Sequence, residues 1–151
     1  MTDLWLSPEQ QRAWRALLAM NTQLHARLAR ELQNASDISY ADFAVLVQLT
    51  DAEDGRTRIS ELADLLQWER SRLSHHLKRM ESRGHSERSS CPEDGRGQYV
   101  AITAIGRDAI EQAAPAHVQL VHRLVFDGMS DAERDTLVTI SERVIDRLSE
   151  A

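Results

Sequence analysis

Gln67-Trp68-Glu69-Arg70-Ser71-Arg72-Leu73-Ser74-His75-His76-Leu77-Lys78-Arg79-Met80-Glu81-Ser82-Arg83-Gly84 is the stretch whose reading decides the fold. Leu73, Leu77 and Met80 recur at i, i+4 and i+7, which on an α-helix makes one narrow apolar stripe facing a core. The opposite side carries Ser71, His75, Lys78 and Ser82, flanked by Arg72, Ser74 and Arg79, and Gly84 stands where a left-handed cap closes a helix. From Arg70 to Arg88 six Lys or Arg face two acids, Glu81 and Glu87, with three histidines among them. A helix showing cations and short hydrogen-bonding side chains outward suits a DNA major groove, where phosphates attract the cations and base edges meet the polar groups. A basic helix taken alone is more often a solvated face, so its surroundings must decide.

Just before it, Ile59, Leu62, Ala63, Leu65 and Leu66 form the predicted buried side of a short helix, with Arg58-Ile59 as a very short strand ahead of it. Two such helices joined tightly, the second one basic, make a helix-turn-helix. After Gly84 the apolar period changes from 3.6 to 2. Glu87 to Ser90 and Gln98 to Ile102 are predicted to pair as a hairpin, a wing, around a loop from Cys91 to Gly97, with Val100 and Ile102 facing inward. At the loop tip, Gly95 and Gly97 leave room around Arg96, which suits a minor groove, and Asp94 is placed to anchor that arginine.

Farther out, Ser7-Pro8-Glu9-Gln10 is a helix start, and Trp14, Leu17, Leu18, Leu24, Leu28 and Leu32 keep helical spacing to about Asn34. Trp5 and Leu6, ahead of it, are placed to fold onto a neighbouring chain. Ser39 and Asp42 read as a capping box, with Ile38 and Phe43 as a hydrophobic staple, for a helix to about Thr50. Beyond the wing, Thr103 caps a long helix that Pro115 is predicted to bend or interrupt, and Asp127-Gly128 ends it. Ser130 to Glu133 starts the last helix, striped by Leu137, Ile140, Val144, Ile145 and Leu148.

The chain has 151 residues, room for one domain with a real core. Its net charge of −6 is uneven: residues 1–66, 67–98 and 99–151 carry −4, +2 and −4. A positive centre between acidic ends suits a protein that touches a polyanion with its middle. Cys91, a lone cysteine, excludes an internal disulfide and fits a reducing cytoplasm. No apolar run approaches the roughly 20 residues of a membrane span, and no signal-peptide pattern opens the chain, so a soluble cytoplasmic protein is expected.

In this order the elements and their words resemble the MarR family of winged helix-turn-helix regulators. Ile59-Ser60-Glu61-Leu62-Ala63 is similar to the family's entry to the motif, and Leu77-Lys78-Arg79-Met80-Glu81-Ser82-Arg83-Gly84 to the end of its recognition helix. Asp94-Gly95-Arg96-Gly97 resembles the wing tip, and Ile102-Thr103-Ala104-Ile105-Gly106-Arg107 the exit. One departure stands out: the two positions after the helix-closing glycine, usually apolar in the family, are His85 and Ser86.

The resemblance implies a mainly α fold with a small β-hairpin wing. Residues 37–103 are then the DNA-binding lobe, and 1–36 with 104–151 a helical dimerisation region. It implies a homodimeric repressor on a palindromic operator in double-stranded DNA, released by a small aromatic or phenolic molecule. Ser71, Arg72, Ser74, His75, Lys78, Arg79 and Arg96 are the expected DNA contacts. Trp14, Leu18, Phe43 and Val47 are candidates to line the effector pocket, although each also reads as plain core. Cys91, on an expected exposed wing between Arg88 and Arg96, is a candidate redox switch, and an inert loop thiol otherwise.

Other classes fare worse. His75 and His76 diverge by about 100° on a helix, and His117 and His122 are five apart, so neither pair has the i, i+4 spacing of a helical zinc site. No metal or cofactor is expected. Glycine-rich phosphate loops and Gly-x-Ser-x-Gly elbows are absent from the sequence, which argues against an enzyme. A helical interaction protein would use the terminal helices but leave the wing and its arginine without a role.

Overall fold

The computed structural model describes residues 5–150, the side chains of Asp94 and Arg96 excepted. The chain divides into two compact units, Met1–His117 and Val118–Ala151.

In the first unit, α1 (Pro8–Ala35) begins at a reciprocal cap: Ser7 Oγ accepts from the Gln10 amide, and the Gln10 side chain accepts from the Ser7 amide. Ser39 and Asp42 repeat the device for α2 (Tyr40–Asp51), and the staple pair Ile38 and Phe43 both enter the core. A single 3₁₀ turn, Glu53–Gly55, leads to β1 (Arg56–Arg58), so Ile59 opens α3 (Ile59–Leu66) instead of lying in a strand. Leu62 and Ala63 are buried, but Leu65, predicted to join them, is 62% exposed. At 100° per residue it lies about 110° round the helix from the centre of the stripe that Ile59, Leu62, Ala63 and Leu66 define.

The stripe of α4 (Arg70–Ser82) is buried as expected. Leu73, Leu77 and Met80 are fully covered in one core with Leu32, Leu46, Leu49, Leu62, Val100, Ile110 and Ala113. Burial of this kind stabilises by roughly 1.5–3 kcal/mol for each large aliphatic side chain. Gly84 adopts φ +78°, and the amides of His85 and Gly84 donate to the carbonyls of Met80 and Glu81 at 3.0 Å each, a Schellman closure.

The wing is longer than its periodicity suggested. β2 (Ser86–Cys91) and β3 (Asp94–Ile102) meet at a two-residue turn, Pro92-Glu93, in place of the predicted seven-residue loop, and the sheet order is β1-β3-β2. The register runs regularly from Ser86↔Ile102 to Ser90↔Gln98 and then jumps to Cys91↔Asp94, skipping Gly95, Arg96 and Gly97. A glycine-rich run that reads as a loop is therefore an irregular edge of a strand. His85 and Ser86 do not prevent pairing. Ser86 is buried, although its Oγ has no partner among the described residues.

Thr103 ties the wing to α5 (Ala104–Val121): its hydroxyl donates to the Gly84 carbonyl and accepts from the Gly106 amide at 3.0 Å. α5 runs through Pro115 without interruption. The proline faces Glu111, one turn earlier, across an exposed part of the helix, where water can satisfy the freed carbonyl.

The second unit holds the end of α5, a π-helical turn His122–Phe126, and α6 (Asp131–Ser149), started by the Ser130/Glu133 capping box. Leu137, Ile140, Val144, Ile145 and Leu148 are exposed on it. Among the described residues no helix is long and apolar enough to cross a membrane.

Candidate nucleic-acid interface

With its stripe held in the core, α4 turns Ser71, Arg72, Ser74, His75, Lys78 and Arg79 to solvent, six of the seven expected contacts on one helix surface. Arg96, the seventh, and its expected anchor Asp94 have side chains outside the described residues. No side chain caps the first turn of α4, so its amides stay available to an anion. Arg72 is preorganised: its guanidinium sits 4.3 Å from the centre of the Trp68 ring, in the turn between α3 and α4.

Behind this surface lies a buried carboxylate that local reading assigned to capping alone. Asp42 is fully covered, and its Oδ2 accepts from the Ser39 amide at 2.9 Å. Its Oδ1 accepts from Arg83 Nη2 at 2.8 Å, across 41 residues of sequence. His76 Nε2, also buried, approaches the same oxygen at 2.9 Å, but it is poorly aligned for an N–H bond, so the contact is electrostatic more than directional. Burial alone would raise the Asp42 pKa. His76, Arg83 and the Ser39 amide overcome that and hold the carboxyl well below the usual carboxylate range. His76 Nδ1 lies 3.0 Å from Arg79 Nη2, and the Trp68 ring meets the His76 ring edge-on at 5.5 Å. An open concavity of about 650 Å³ lies over this cluster, between the start of α2 and α4, lined by Arg72, His75, Arg79 and Arg83 among others. His85, just past α4, is held below the ordinary histidine range by burial and by Arg83, with Asp42 opposing.

On the wing side, Arg56 and Arg58 of β1 flank the Tyr99 ring of β3 at 4.8 and 5.8 Å. Arg88 binds Glu81 through both Nε and Nη2 at 3.1 Å, joining β2 to α4. A second concavity, about 390 Å³, lies between the start of α3 and the wing, with Arg58, Ser60, Arg70, Ser74 and Gln98 in its lining. Cys91 is a correction: it is 2% exposed, so the accessible thiol that a redox switch needs is not there. Its partner in that idea, Arg88, is engaged by Glu81.

The expected effector residues are not gathered. Trp14 and Leu18 are 51% and 45% exposed on α1, Phe43 is core, and Val47 is partly buried against it. A different group converges from α1, α2 and α5. The His25 ring stands 4.5 Å from Tyr40, and the His117 ring 4.6 Å from Phe43 and 6.3 Å from Tyr40. Burial lowers the His117 pKa, and its Nδ1 has no partner among the described residues.

Comparison with known proteins agrees with this architecture. The MarR family matches over residues 38–97. The MarR family regulator Sco3205 of Streptomyces coelicolor, solved in complex with DNA, is 35% identical, with 95% of this chain and 94% of that one aligned at a TM-score of 0.91. AbsC, a MarR family regulator of the same organism, is 31% identical over 97% of this chain and 99% of its own, at a TM-score of 0.92. The transcriptional repressor YetL of Bacillus subtilis is 29% identical over 112 residues, 74% of this chain. The match spans 66% of YetL's length.

Proposed function

This chain belongs to the MarR family of transcriptional regulators, and from that premise we propose that it is a cytoplasmic, sequence-specific DNA-binding repressor. It works as a homodimer on a palindromic operator and leaves it when a small aromatic or phenolic molecule binds. The observation that carries the reading is the division of α4 into a fully buried stripe and an exposed basic face, with Arg72 already stacked on Trp68. Arg72, Ser71, Ser74 and His75 read bases, Lys78 and Arg79 hold phosphates, and Arg96 enters the minor groove from the wing.

The exposed apolar residues Trp14, Leu17 and Leu18 of α1, and those of α6, favour a second copy as their cover. A two-fold axis would set the recognition helices about 10 bp apart, one helical turn of DNA. Light scattering at micromolar concentration should give a dimer, and a monomer would remove the palindrome with it. The effector reading draws on the aromatic group around His117, whose Nδ1, without a partner among the described residues, suits a phenol hydroxyl.

The deciding experiment is binding to a duplex from the gene's own upstream region against random duplex. Arg72→Ala should cost about 1–3 kcal/mol at one base position and relax specificity there. An equal loss on both DNAs would make Arg72 a phosphate contact instead.

A further inference from the structure

Arg79 differs from its neighbours on α4 in what holds it. Its guanidinium rests 3.0 Å from His76 Nδ1, and a guanidinium has donors only, so that nitrogen must be the acceptor and carry no proton. The ring's one proton then sits on Nε2, the atom turned to Asp42 Oδ1 at 2.9 Å. The two partners together select the neutral Nε2–H tautomer. Resting on the reading of α4 as the DNA-facing helix, we propose that His76, oriented by Asp42, is a positioning residue for Arg79: the neutral ring holds the arginine back along its own helix, and the doubly protonated ring releases it to a DNA phosphate.

The charges around the ring give the direction. From α2 it faces Asp42. From α4 it faces Arg79 and, through the shared carboxylate, Arg83, with Arg72 and His75 lining the same concavity. His85, beyond the end of α4, feels both Asp42 and Arg83, and the Trp68 ring, which brings no charge of its own, stands perpendicular to the His76 ring. Asp42 and Arg83 already balance, so a proton taken from solvent onto Nδ1 leaves one surplus positive charge and turns an N–H toward the N–H groups of Arg79. Asp42 and Arg83 are fixed to each other; Arg79 is exposed and can swing away. A phosphate that receives it removes the surplus, so DNA binding and proton uptake favour each other.

The test is the salt dependence of binding to a random duplex, at about pH 8 and about pH 6, the window in which histidines change charge. Wild-type protein should bind more tightly at the lower pH, with a salt slope steeper by about 0.9, one more phosphate contact. His76→Gln, whose polar amide can occupy the space beside Asp42 but cannot take the proton, should lose the pH-dependent part of the slope. Arg79→Ala, a surface change that leaves the fold intact, should lose it too, and His122→Gln, in the second unit, should keep it. Persistence of the full pH-dependent slope in Arg79→Ala would overturn the proposal, because the ring's own charge would then account for it. So would a wild-type slope that does not change with pH. If Lys78→Ala and Arg79→Ala both leave affinity unchanged at either pH, α4 does not face DNA, and the underlying reading fails instead.

Discussion

The turns on either side of α4 share one hydrogen-bond pattern and are held with very different firmness. Where α3 hands over to α4, the amides of Trp68 and Gln67 donate to the carbonyls of Ala63 and Asp64 at 3.0 and 3.2 Å, with Gln67 in the left-handed region at φ +53°. Where α4 hands over to the wing, His85 and Gly84 make the equivalent pair of bonds, with Gly84 at φ +78°. The first turn exposes Gln67 and Glu69 while Trp68 packs partly against the core, has no side-chain cap for α4, and is supported by Gln67 Nε2 donating to the Asp64 carbonyl at 2.7 Å. The second is tied from three sides: Arg83 to Asp42, Thr103 to the Gly84 carbonyl, and Gly106 against the His85 carbonyl. A recognition helix anchored at its far end keeps its orientation, while its first turn holds Arg72 on the Trp68 ring.

The firm end breaks most completely at Gly106. A Cβ there would stand 2.0 Å from the His85 carbonyl oxygen and 3.0 Å from its carbon, which are backbone atoms that cannot turn aside. Gly106→Ala must push α5 away from the end of α4, and should cost about 3 kcal/mol or more by urea unfolding. A loss under about 1 kcal/mol would mean that this junction is soft.

Next in size is Asp42. Asp42→Asn keeps the shape but removes the charge that faces Arg83 and His76. Arg83 keeps 42% of its side chain in water, so its ion pair is discounted, and the substitution should cost about 2 kcal/mol at neutral pH. The pH dependence has a definite sign. A carboxyl held below its ordinary value gives stability that is present above about pH 4 and lost as the pH falls further. Acid unfolding of the wild type should therefore be steeper than that of Asp42→Asn, and the two stabilities should converge below about pH 4. Parallel curves would show that the carboxylate does not link α2 to α4.

What the sequence disclosed and what it withheld divide by range. The capping boxes at Ser7, Ser39 and Ser130 each close within three residues, and all three helices start where those residues stand. The stripe of Leu73, Leu77 and Met80 was legible for the same reason, and with it the outward face of α4. Asp42 was read as a cap, which it is. Its second role depends on a partner 41 residues away, and no local spacing announces that. The wing was half legible: Val100 is buried as its alternation predicted, but the strand register that makes Gly95 to Gly97 part of β3 arises only across the sheet. Cys91 looked exposed because proline and glycine surround it, and pairing with Asp94 at the turn places it otherwise. Trp68, the support of Arg72 and neighbour of His76, carried no signal beyond a large apolar residue at a helix junction.

The smallest effects compare the two left-handed turns directly. Gly84→Ala puts a Cβ where φ is +78° and brings it to 3.3 Å from the Ile105 Cδ1, the end of a side chain that can give way. Its cost should therefore be the backbone penalty, about 1–2 kcal/mol. At Gln67 the same penalty is already present, offset by the side-chain bond to Asp64. Gln67→Gly relieves the backbone but loses that bond and adds chain entropy to the unfolded state, so the change should stay within about 0.5 kcal/mol of zero. Its effect on DNA is the sharper reading. A looser first turn lets Arg72 and Trp68 move together, so affinity for the upstream duplex should fall more than affinity for random duplex, with no matching loss in the urea midpoint. If Gln67→Gly instead destabilises the fold as much as Gly84→Ala does, the turns on either side of α4 are held alike, and the difference in firmness between them is not there.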